Sequence, residues 1–134
     1  MSLGSSETVA IREEPDLLLV RQLVRQQAAE LGFSKLGQTK AVTAASELGR
    51  NTLIHGGGGT MLLEAFVEPA RRGLRLTFED HGPGIADVEQ AMADGYTTAG
   101  GLGLGLGGTR RLVDEFELVS HVGAGTRVTV TSWT

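Results

Sequence analysis

A glycine-rich segment followed by a basic helical stretch is the first candidate for chemistry in this chain. Residues 100–108 read Gly-Gly-Leu-Gly-Leu-Gly-Leu-Gly-Gly and lead into Thr109, Arg110 and Arg111. Glycines leave backbone amides free to wrap an anion, and the first turn of the helix behind them presents unpaired N–H groups and a positive dipole end. The segment therefore predicts phosphate binding, with a flexible loop as the alternative.

A carboxylate at the end of a predicted strand is the second candidate. Leu76 and Phe78 alternate along this strand, so the period of two places Asp80 on the same, core-facing side. A buried carboxylate must find hydrogen-bond donors, because leaving it unpaired is costly. Gly82 and Gly84 follow it, which allows a tight turn and lets a flat ligand approach the backbone. The alternative is an Asp that only caps its own turn.

A polar face on a predicted helix is the third candidate. Glu47, Asn51 and His55 are each four residues apart, which places them on one side of an α-helix. Glu and Asn are unusual on a helix that is otherwise rich in Ala and Leu. They indicate either a functional face or a solvated stripe with an i,i+4 hydrogen bond, and His55 also suits a helix end, where a cation is favoured.

Three common nucleotide-binding signatures do not account for these residues. The run Gly103-x-Gly105-x-x-Gly108 matches the dinucleotide fingerprint, but residues 94–99 before it are not strand-like. Too little chain follows for the rest of such a fold. No Gly-Lys-Ser/Thr occurs, which excludes a P-loop, and the catalytic-loop signature of protein kinases is missing.

The elements that must position these residues follow from periodicity and from Gly, Pro and Ser punctuation. Strands are predicted over 8–12, 60–68, 73–80, 116–122 and 126–133. Helices are predicted over 15–31, 34–54, 87–93 and 109–114, with a glycine-rich loop over 95–107. The pattern predicts an α+β fold: a two-layer sandwich with a mixed, mostly antiparallel sheet of about five strands, covered on one face by helices. Residues 1–134 are expected to form a single domain.

Composition narrows the function further. The 134 residues include no Cys, so disulfides and thiolate metal sites are excluded. The net charge of -4 argues against broad binding to nucleic acid or anionic membranes. No apolar run approaches the ~20 residues of a membrane span, and the first residues lack a secretory signal pattern. A cytoplasmic protein is expected.

The motifs, taken in this order, resemble the GHKL ATPase superfamily, which includes gyrase, Hsp90, histidine kinases and MutL. Residues 47–51 (Glu-Leu-Gly-Arg-Asn) resemble its N box, and residues 80–84 (Asp-His-Gly-Pro-Gly) resemble its first glycine box. Residues 101–107 resemble the second glycine box, and Gly125-Thr126 is similar to the Gly-Thr element before the last strand.

Within the superfamily, the chain resembles the RsbT-like switch kinases of bacterial partner-switching pathways over nearly its whole length. The matching segments are 45–48, 79–85, 94–98, 100–103 and 111–116. His55 and the glycines at 56–59 are more similar to the anti-sigma factor kinases, and Leu106-Gly107-Gly108 lacks the proline expected of RsbT relatives. No segment with a phosphoacceptor His precedes the motifs, so the substrate is expected to be a separate protein.

The resemblance implies a role for individual residues. Glu47 is the general base toward a Ser or Thr hydroxyl, and Asn51 binds Mg²⁺. Asp80 accepts a hydrogen bond from the adenine amino group, supported by Thr126, and residues 101–107 form a lid over the phosphates. The ATP-binding residues implied by the resemblance are Asn51, Asp80, Gly82, Gly84, Ile85, Thr98, Gly100, Gly101, Leu102, Gly103, Leu104, Gly105, Leu106, Gly107 and Thr126.

The resemblance also implies cofactors and partners. ATP and Mg²⁺ are expected, and the substrate is expected to be a STAS-domain antagonist protein. The onward partner is a PP2C-type phosphatase or a sigma factor, and neither nucleic acid nor a membrane is expected to bind. Two alternatives stay open: an anti-sigma factor that sequesters a sigma factor, and a non-catalytic adaptor that binds nucleotide.

Overall fold

The computed structural model describes residues 2–93 and 105–134. The strands are β1 (Ser2–Ile11), β2 (Gly59–Val67), β3 (Arg72–Asp80), β4 (Glu115–His121) and β5 (Gly125–Trp133). The helices are α1 (Glu14–Glu30), α2 (Lys35–Ile54), α3 (Val88–Met92) and α4 (Gly105–Arg110).

The five strands form one sheet in the order β1-β2-β3-β5-β4. Each pairing between the described strands is antiparallel. The helices α1 and α2 pack against each other and against one face of this sheet. The predicted α+β sandwich with about five strands and one helix-covered face is confirmed.

The core lies between the two long helices and the covered face of the sheet. Apolar residues recur at helical spacing in α1, with Leu17, Val20, Val24 and Ala28 all buried. The strands contribute alternate residues. In β3, the side chains of Leu74, Leu76 and Phe78 are each only 2% exposed. Each such large side chain contributes about 1.5–3 kcal/mol through removal of apolar surface from water.

Local signals set the limits of α2. The Ser34 hydroxyl accepts a hydrogen bond from the Gly37 amide at 3.0 Å, as the predicted N-cap requires. At the other end, Gly57 and Gly58 adopt φ of +72° and +107°. Residues with side chains rarely adopt such angles, so these glycines end the helix and turn the chain into β2.

Two elements differ from the prediction by more than one residue at a boundary. β1 begins at Ser2 rather than at residue 8, because β2 supplies a partner for the weakly patterned residues 2–7. The helix predicted over 109–114 instead spans Gly105–Arg110, so Leu106 and Gly107 are helical and not loop. Gly105 opens the helix with a φ of +69°, which suits a residue without a side chain. Burial of Leu106, at 7% exposure, stabilises a helix that its glycines disfavour.

Candidate active site

Three polar residues lie side by side across one end of the sheet. Asp80 of β3 is in register with Thr126 of β5, and Thr126 is in register with Ser120 of β4. Asp80 follows Leu76 and Phe78 at a spacing of two, and Thr126 precedes Val128 and Val130 in the same way. Because those apolar residues are buried under the helices, Asp80, Thr126 and Ser120 face the helices too, and together they form the polar row.

The turn after β3 holds one oxygen of the Asp80 carboxylate. The Gly82 amide donates to Asp80 Oδ1 at 2.9 Å, so the residue does cap its own turn. Within residues 2–93 and 105–134, no hydrogen bond reaches Oδ2. Capping of the turn therefore uses only one of the two carboxylate oxygens.

Close backbone contacts anchor this turn to the β4–β5 hairpin. The Gly123 amide donates to the Pro83 carbonyl at 2.8 Å. Gly84, at φ +77°, lies so near β4 that a methyl group there would come within 2.8 Å of the His121 carbonyl carbon. Gly125 is similarly close to the chain at His81. The glycines of this end of the sheet are required for packing of backbone on backbone.

Gly56 brings the end of α2 against the Asp80 side chain. A methyl group at Gly56 would lie 2.6 Å from Asp80 Oδ2, and one at Gly82 would lie 2.8 Å from Gly56 Cα. The Gly56 amide donates to the Asn51 carbonyl at 3.2 Å, which continues the backbone hydrogen bonding of the helix. The last turn of α2, with Asn51, is therefore fixed next to the carboxylate.

The two flanks of α2 have different environments. Arg21 of α1 donates to Ser46 at 3.5 Å, and Gly49 packs against Leu17, so α1 lies along one flank. Helical spacing places Glu47 and Asn51 on the opposite flank of α2. The helix α4 also contacts α2.

Glu47 and Asn51 are both partly buried. In the described part of the chain neither side chain makes a hydrogen bond or an ion pair. The i,i+4 hydrogen bond of a solvated stripe is therefore not formed. Neither group therefore has a competing partner among the described residues. His55, at the C-cap of the same helix, is exposed.

The second glycine box is described only at its end. Thr98, Gly100, Gly101, Leu102, Gly103 and Leu104 lie outside the described residues. Gly107 of α4 packs against α3, since a methyl group there would lie 3.0 Å from the carbonyl carbon of Met92. The role of residues 101–107 as a lid stays a prediction.

The amide oxygen of Asn51 fits the way in which Mg²⁺ is usually held beside phosphate groups. No group of three or more His, Asp or Glu side chains suited to a metal occurs in the ranges 2–93 and 105–134. Mg²⁺ usually keeps several waters and takes one or two protein oxygens besides phosphate oxygens. The amide oxygen of Asn51 can be such a ligand.

No helix among the described residues is both long enough and apolar enough to cross a bilayer.

The Asp80 carboxylate thus lies against the end of α2 and next to the Thr126 hydroxyl on the covered face of an antiparallel sheet, and α2 also carries the acid–amide pair. The family described as the histidine kinase-like ATPase domain matches residues 11–132, and the chain belongs to this family.

Two kinds of relative extend this assignment. The chain is 42% identical to the serine/threonine-protein kinase RsbT of Bacillus subtilis (strain 168) over 131 residues, covering 98% of each chain. It is 35% identical to the anti-sigma F factor of Thermoanaerobacter sp. (strain X514) over 99 residues, covering 68% of this chain and 66% of that protein.

A solved structure of the RsbU and RsbW domains of a Mycobacterium tuberculosis protein has the same fold. It matches with a TM-score of 0.66 at 21% identity, covering 96% of this chain and 32% of that chain.

Sequence reasoning missed Ser120 and Gly56. Ser120 bonds the Ile85 amide at 2.8 Å and the Thr126 hydroxyl at 2.8 Å. The register of the predicted β4–β5 hairpin could have revealed it, because a turn over residues 122–124 pairs positions 120 and 126. Gly56 carries no comparable signal, since its contact with Asp80 arises only when α2 packs on the sheet.

Proposed function

We propose that this chain is an ATP-dependent protein serine/threonine kinase of a partner-switching pathway. The observation that supports it most is the contact between Gly56 and Asp80, which brings the acid–amide face of α2 to the polar row of the sheet. The near full-length similarity to a serine/threonine-protein kinase supports the same activity.

Asp80 binds the base in this proposal. Its Oδ1 is held by the Gly82 amide, so Oδ2 accepts a hydrogen bond from the adenine amino group. A charged acceptor makes a stronger hydrogen bond than a neutral one. Thr126, directly across the β3–β5 pair, supports this contact with its hydroxyl.

Asn51 holds the phosphate end through the metal. Its amide oxygen is a hard ligand of the type that Mg²⁺ prefers. When bound, Mg²⁺ supplies neutralisation of the phosphate charge that grows during transfer. Asn51 and Glu47 are one helical turn apart, so the residue that binds the metal and the residue that acts on the incoming hydroxyl share one rigid element.

Glu47 acts as the general base. Its carboxylate takes the proton of a Ser or Thr hydroxyl on the protein substrate, while the hydroxyl oxygen forms a bond to the γ-phosphorus and the bond between that phosphorus and the leaving ADP oxygen breaks. The partly buried carboxylate has no partner among the described residues that would compete for this proton. A positioned base of this kind contributes roughly 10²–10⁴-fold to the rate.

The proposed substrate is a STAS-domain antagonist protein in the cytoplasm, with a PP2C-type phosphatase as the onward partner. Similarity to the serine/threonine-protein kinase RsbT over 98% of both chains supports this assignment.

The direct test is transfer of labelled γ-phosphate from ATP with Mg²⁺ to a STAS-domain protein encoded beside this one. The wild-type chain should label Ser or Thr, and Glu47→Gln should lose the labelling while it still binds ATP. Glu117→Gln is the matched control, because Glu117 is exposed on the opposite face of the sheet. Full labelling by Glu47→Gln would remove Glu47 as the base.

An anti-sigma factor is the second candidate, and the similarity to anti-sigma F factors favours it over other functions. Affinity capture with the purified chain separates the two. Stable, saturable binding of a purified sigma factor would favour the anti-sigma function, whereas binding of a PP2C-type phosphatase would favour the switch kinase. If the chain is instead a non-catalytic adaptor, Glu47→Gln should leave signalling in cells intact.

A further inference from the structure

The outward side of α2 carries a continuous stripe of residues with Glu47 near its middle. Positions 36, 40, 43, 47, 50 and 54 follow one another at spacings of four and three, which places them along one side of a helix. These positions, here named the α2 stripe, are Leu36, Lys40, Thr43, Glu47, Arg50 and Ile54. At a rise of about 1.5 Å per residue, the stripe is about 27 Å long.

The two ends of the α2 stripe are apolar and open to solvent. Leu36 is 64% exposed and Ile54 is 45% exposed. The residues that α2 buries in the core, such as Ala45 and Leu48, lie on its other side. Exposed apolar surface on one face of an element favours a partner that covers it, because removal of that surface from water is favourable.

The centre of the α2 stripe is basic, although the chain as a whole is acidic. The net charge of the chain is -4, whereas α2 contains the cations Lys35, Lys40 and Arg50 and a single acid, Glu47. Lys40 and Arg50 are exposed, and among the described residues neither makes an ion pair or a hydrogen bond. Cations without a partner on both sides of Glu47 attract a surface of negative charge.

The position of Glu47 determines which molecule covers the α2 stripe. In the proposed reaction, a Ser or Thr hydroxyl of the protein substrate must come within hydrogen-bond distance of the Glu47 carboxylate. A folded protein that does so also covers the neighbouring turns of the helix, since a specific interface buries about 800 Å² on each partner. A nucleotide at Asp80 does not reach Leu36, which lies about five helical turns from the end of α2 that contacts Asp80.

We infer that the α2 stripe is the docking surface for the protein substrate, and that this substrate presents an apolar surface with acidic side chains close to its Ser or Thr. The inference rests on the proposed function, since it takes Glu47 as the base. Lys40 and Arg50 pair with the acidic side chains, and Leu36 and Ile54 supply the apolar contacts at the two ends. The α2 stripe therefore selects the protein partner.

The first test measures KM for the protein substrate at saturating ATP and Mg²⁺, with the STAS-domain protein encoded beside this chain as the substrate. Leu36→Ala should raise this KM about tenfold, the scale of an interface anchor. The dissociation constant of ATP, measured by calorimetry, should stay at the wild-type value, because Leu36 is remote from Asp80.

Leu19→Ala is the matched control for Leu36→Ala. Leu19 is 50% exposed on α1. Helical spacing places it on the side of α1 opposite Arg21, which donates a hydrogen bond to α2. Leu19→Ala should therefore leave both KM for the protein substrate and the ATP dissociation constant unchanged.

The second test uses the salt dependence of KM for the same protein substrate. The double variant Lys40→Gln, Arg50→Gln should raise KM about tenfold at low salt and make it nearly independent of salt, since salt screens the attraction that these cations supply. Arg127→Gln is the control, because it removes a cation that is 51% exposed and pairs with Glu79 on the uncovered face of the sheet. This variant should keep the wild-type salt dependence, which a purely structural role of Lys40 and Arg50 would also leave unchanged.

The outcomes separate this inference from the proposed function. If the wild type labels the STAS-domain protein and the variants of the α2 stripe keep its KM, the inference is overturned and the kinase activity stands. It is also overturned if Leu36→Ala changes only self-association in sedimentation, or only the binding of a purified sigma factor, because another molecule would then cover the α2 stripe. Wild-type chain that transfers no phosphate to the STAS-domain protein would instead refute the proposed function.

Discussion

At each end of β3 a glycine lies against a larger side chain, but the two side chains differ in their hydrogen bonding. At one end a methyl group on Gly56 would lie 2.6 Å from Asp80 Oδ2, and at the other a methyl group on Gly73 would lie 2.6 Å from Cε3 of the Trp133 ring. Each glycine thus leaves room for a side chain that is distant in sequence, the Asp80 carboxylate at one end and the Trp133 ring at the other. The difference lies in what those groups bond.

At the Trp133 end, the polar atoms of the residue are bonded within the chain. The ring Nε1 donates to Glu115 at 2.6 Å, the backbone amide donates to Asp114 at 2.7 Å, and the Arg71 guanidinium lies 3.7 Å from the ring centroid. At the Asp80 end, Oδ2 has no such bond among the described residues. A closed set of bonds stabilises a fold, whereas an open one can bind a ligand.

The largest expected effect comes from Asp80→Asn. The new amide oxygen can keep the bond from the Gly82 amide, which turns the NH₂ group toward the adenine amino group and sets donor against donor. We expect ATP affinity to fall about 100-fold, roughly 3 kcal/mol, with little change in the free energy of unfolding. Calorimetry and urea denaturation measure the two quantities, and unchanged ATP affinity would refute the adenine assignment.

Trp133→Ala should lower the stability of the protein and leave its ATP affinity unchanged, the reverse of Asp80→Asn. Loss of the partly buried ring and its bonds should lower the free energy of unfolding by about 2–3 kcal/mol. The ATP affinity of the folded protein should stay at the wild-type value, because the ring lies on the opposite face and at the opposite end of β3 from Asp80. A matching loss of ATP affinity would show that the two ends are coupled.

The glycines give a matched pair for the next test. Gly56→Ala and Gly73→Ala should each cost about 1–3 kcal/mol of stability, since each methyl group crowds a side chain. Only Gly56→Ala should also weaken ATP binding, because the group it displaces is the Asp80 carboxylate. Equal ATP affinity in Gly56→Ala and Gly73→Ala would show that the Asp80 side chain can move away from the new methyl group and still bind ATP.

Arg71→Gln should have the smallest effect. Arg71 stacks on the Trp133 ring and pairs with Glu68 at 3.1 Å, but its side chain is 48% exposed. Solvent screens such a pair, so we expect a loss of about 0.5–1 kcal/mol in the free energy of unfolding. Thermal denaturation at low and high salt measures it, and a loss above that of Trp133→Ala would mean that Arg71, and not the ring, anchors this end.

Much of the fold was predictable because its signals are local. Apolar spacing in α1, the Ser34 cap and the hairpin turns each depend on a few neighbouring residues, and all were confirmed. The helical state of Leu106 and Gly107 was not predictable, since it depends on burial of Leu106 and on contact with α3. Tertiary packing there overrides the low helix propensity of glycine.

The candidate site was predictable where the residues that matter lie on one element. The shared face of Glu47 and Asn51 follows from helical spacing alone. Ser120 was missed because its importance depends on a contact with Ile85, which is distant in sequence and is set by the turn after β3. Register across two strand pairs, rather than any motif, connects Ser120 with Asp80.

The position of β5 in the sheet has a consequence for biosynthesis. The last strand of the chain inserts between β3 and β4, and it carries Thr126 and the glycine that packs against the chain at His81. While the ribosome is still adding these residues, the edge of β3 that β5 covers has no partner, and the end of the sheet at Asp80 is incomplete. Nascent chains that stop short of Gly125 should therefore be unable to capture nucleotide, and enzyme activity begins only after translation has passed the final strand.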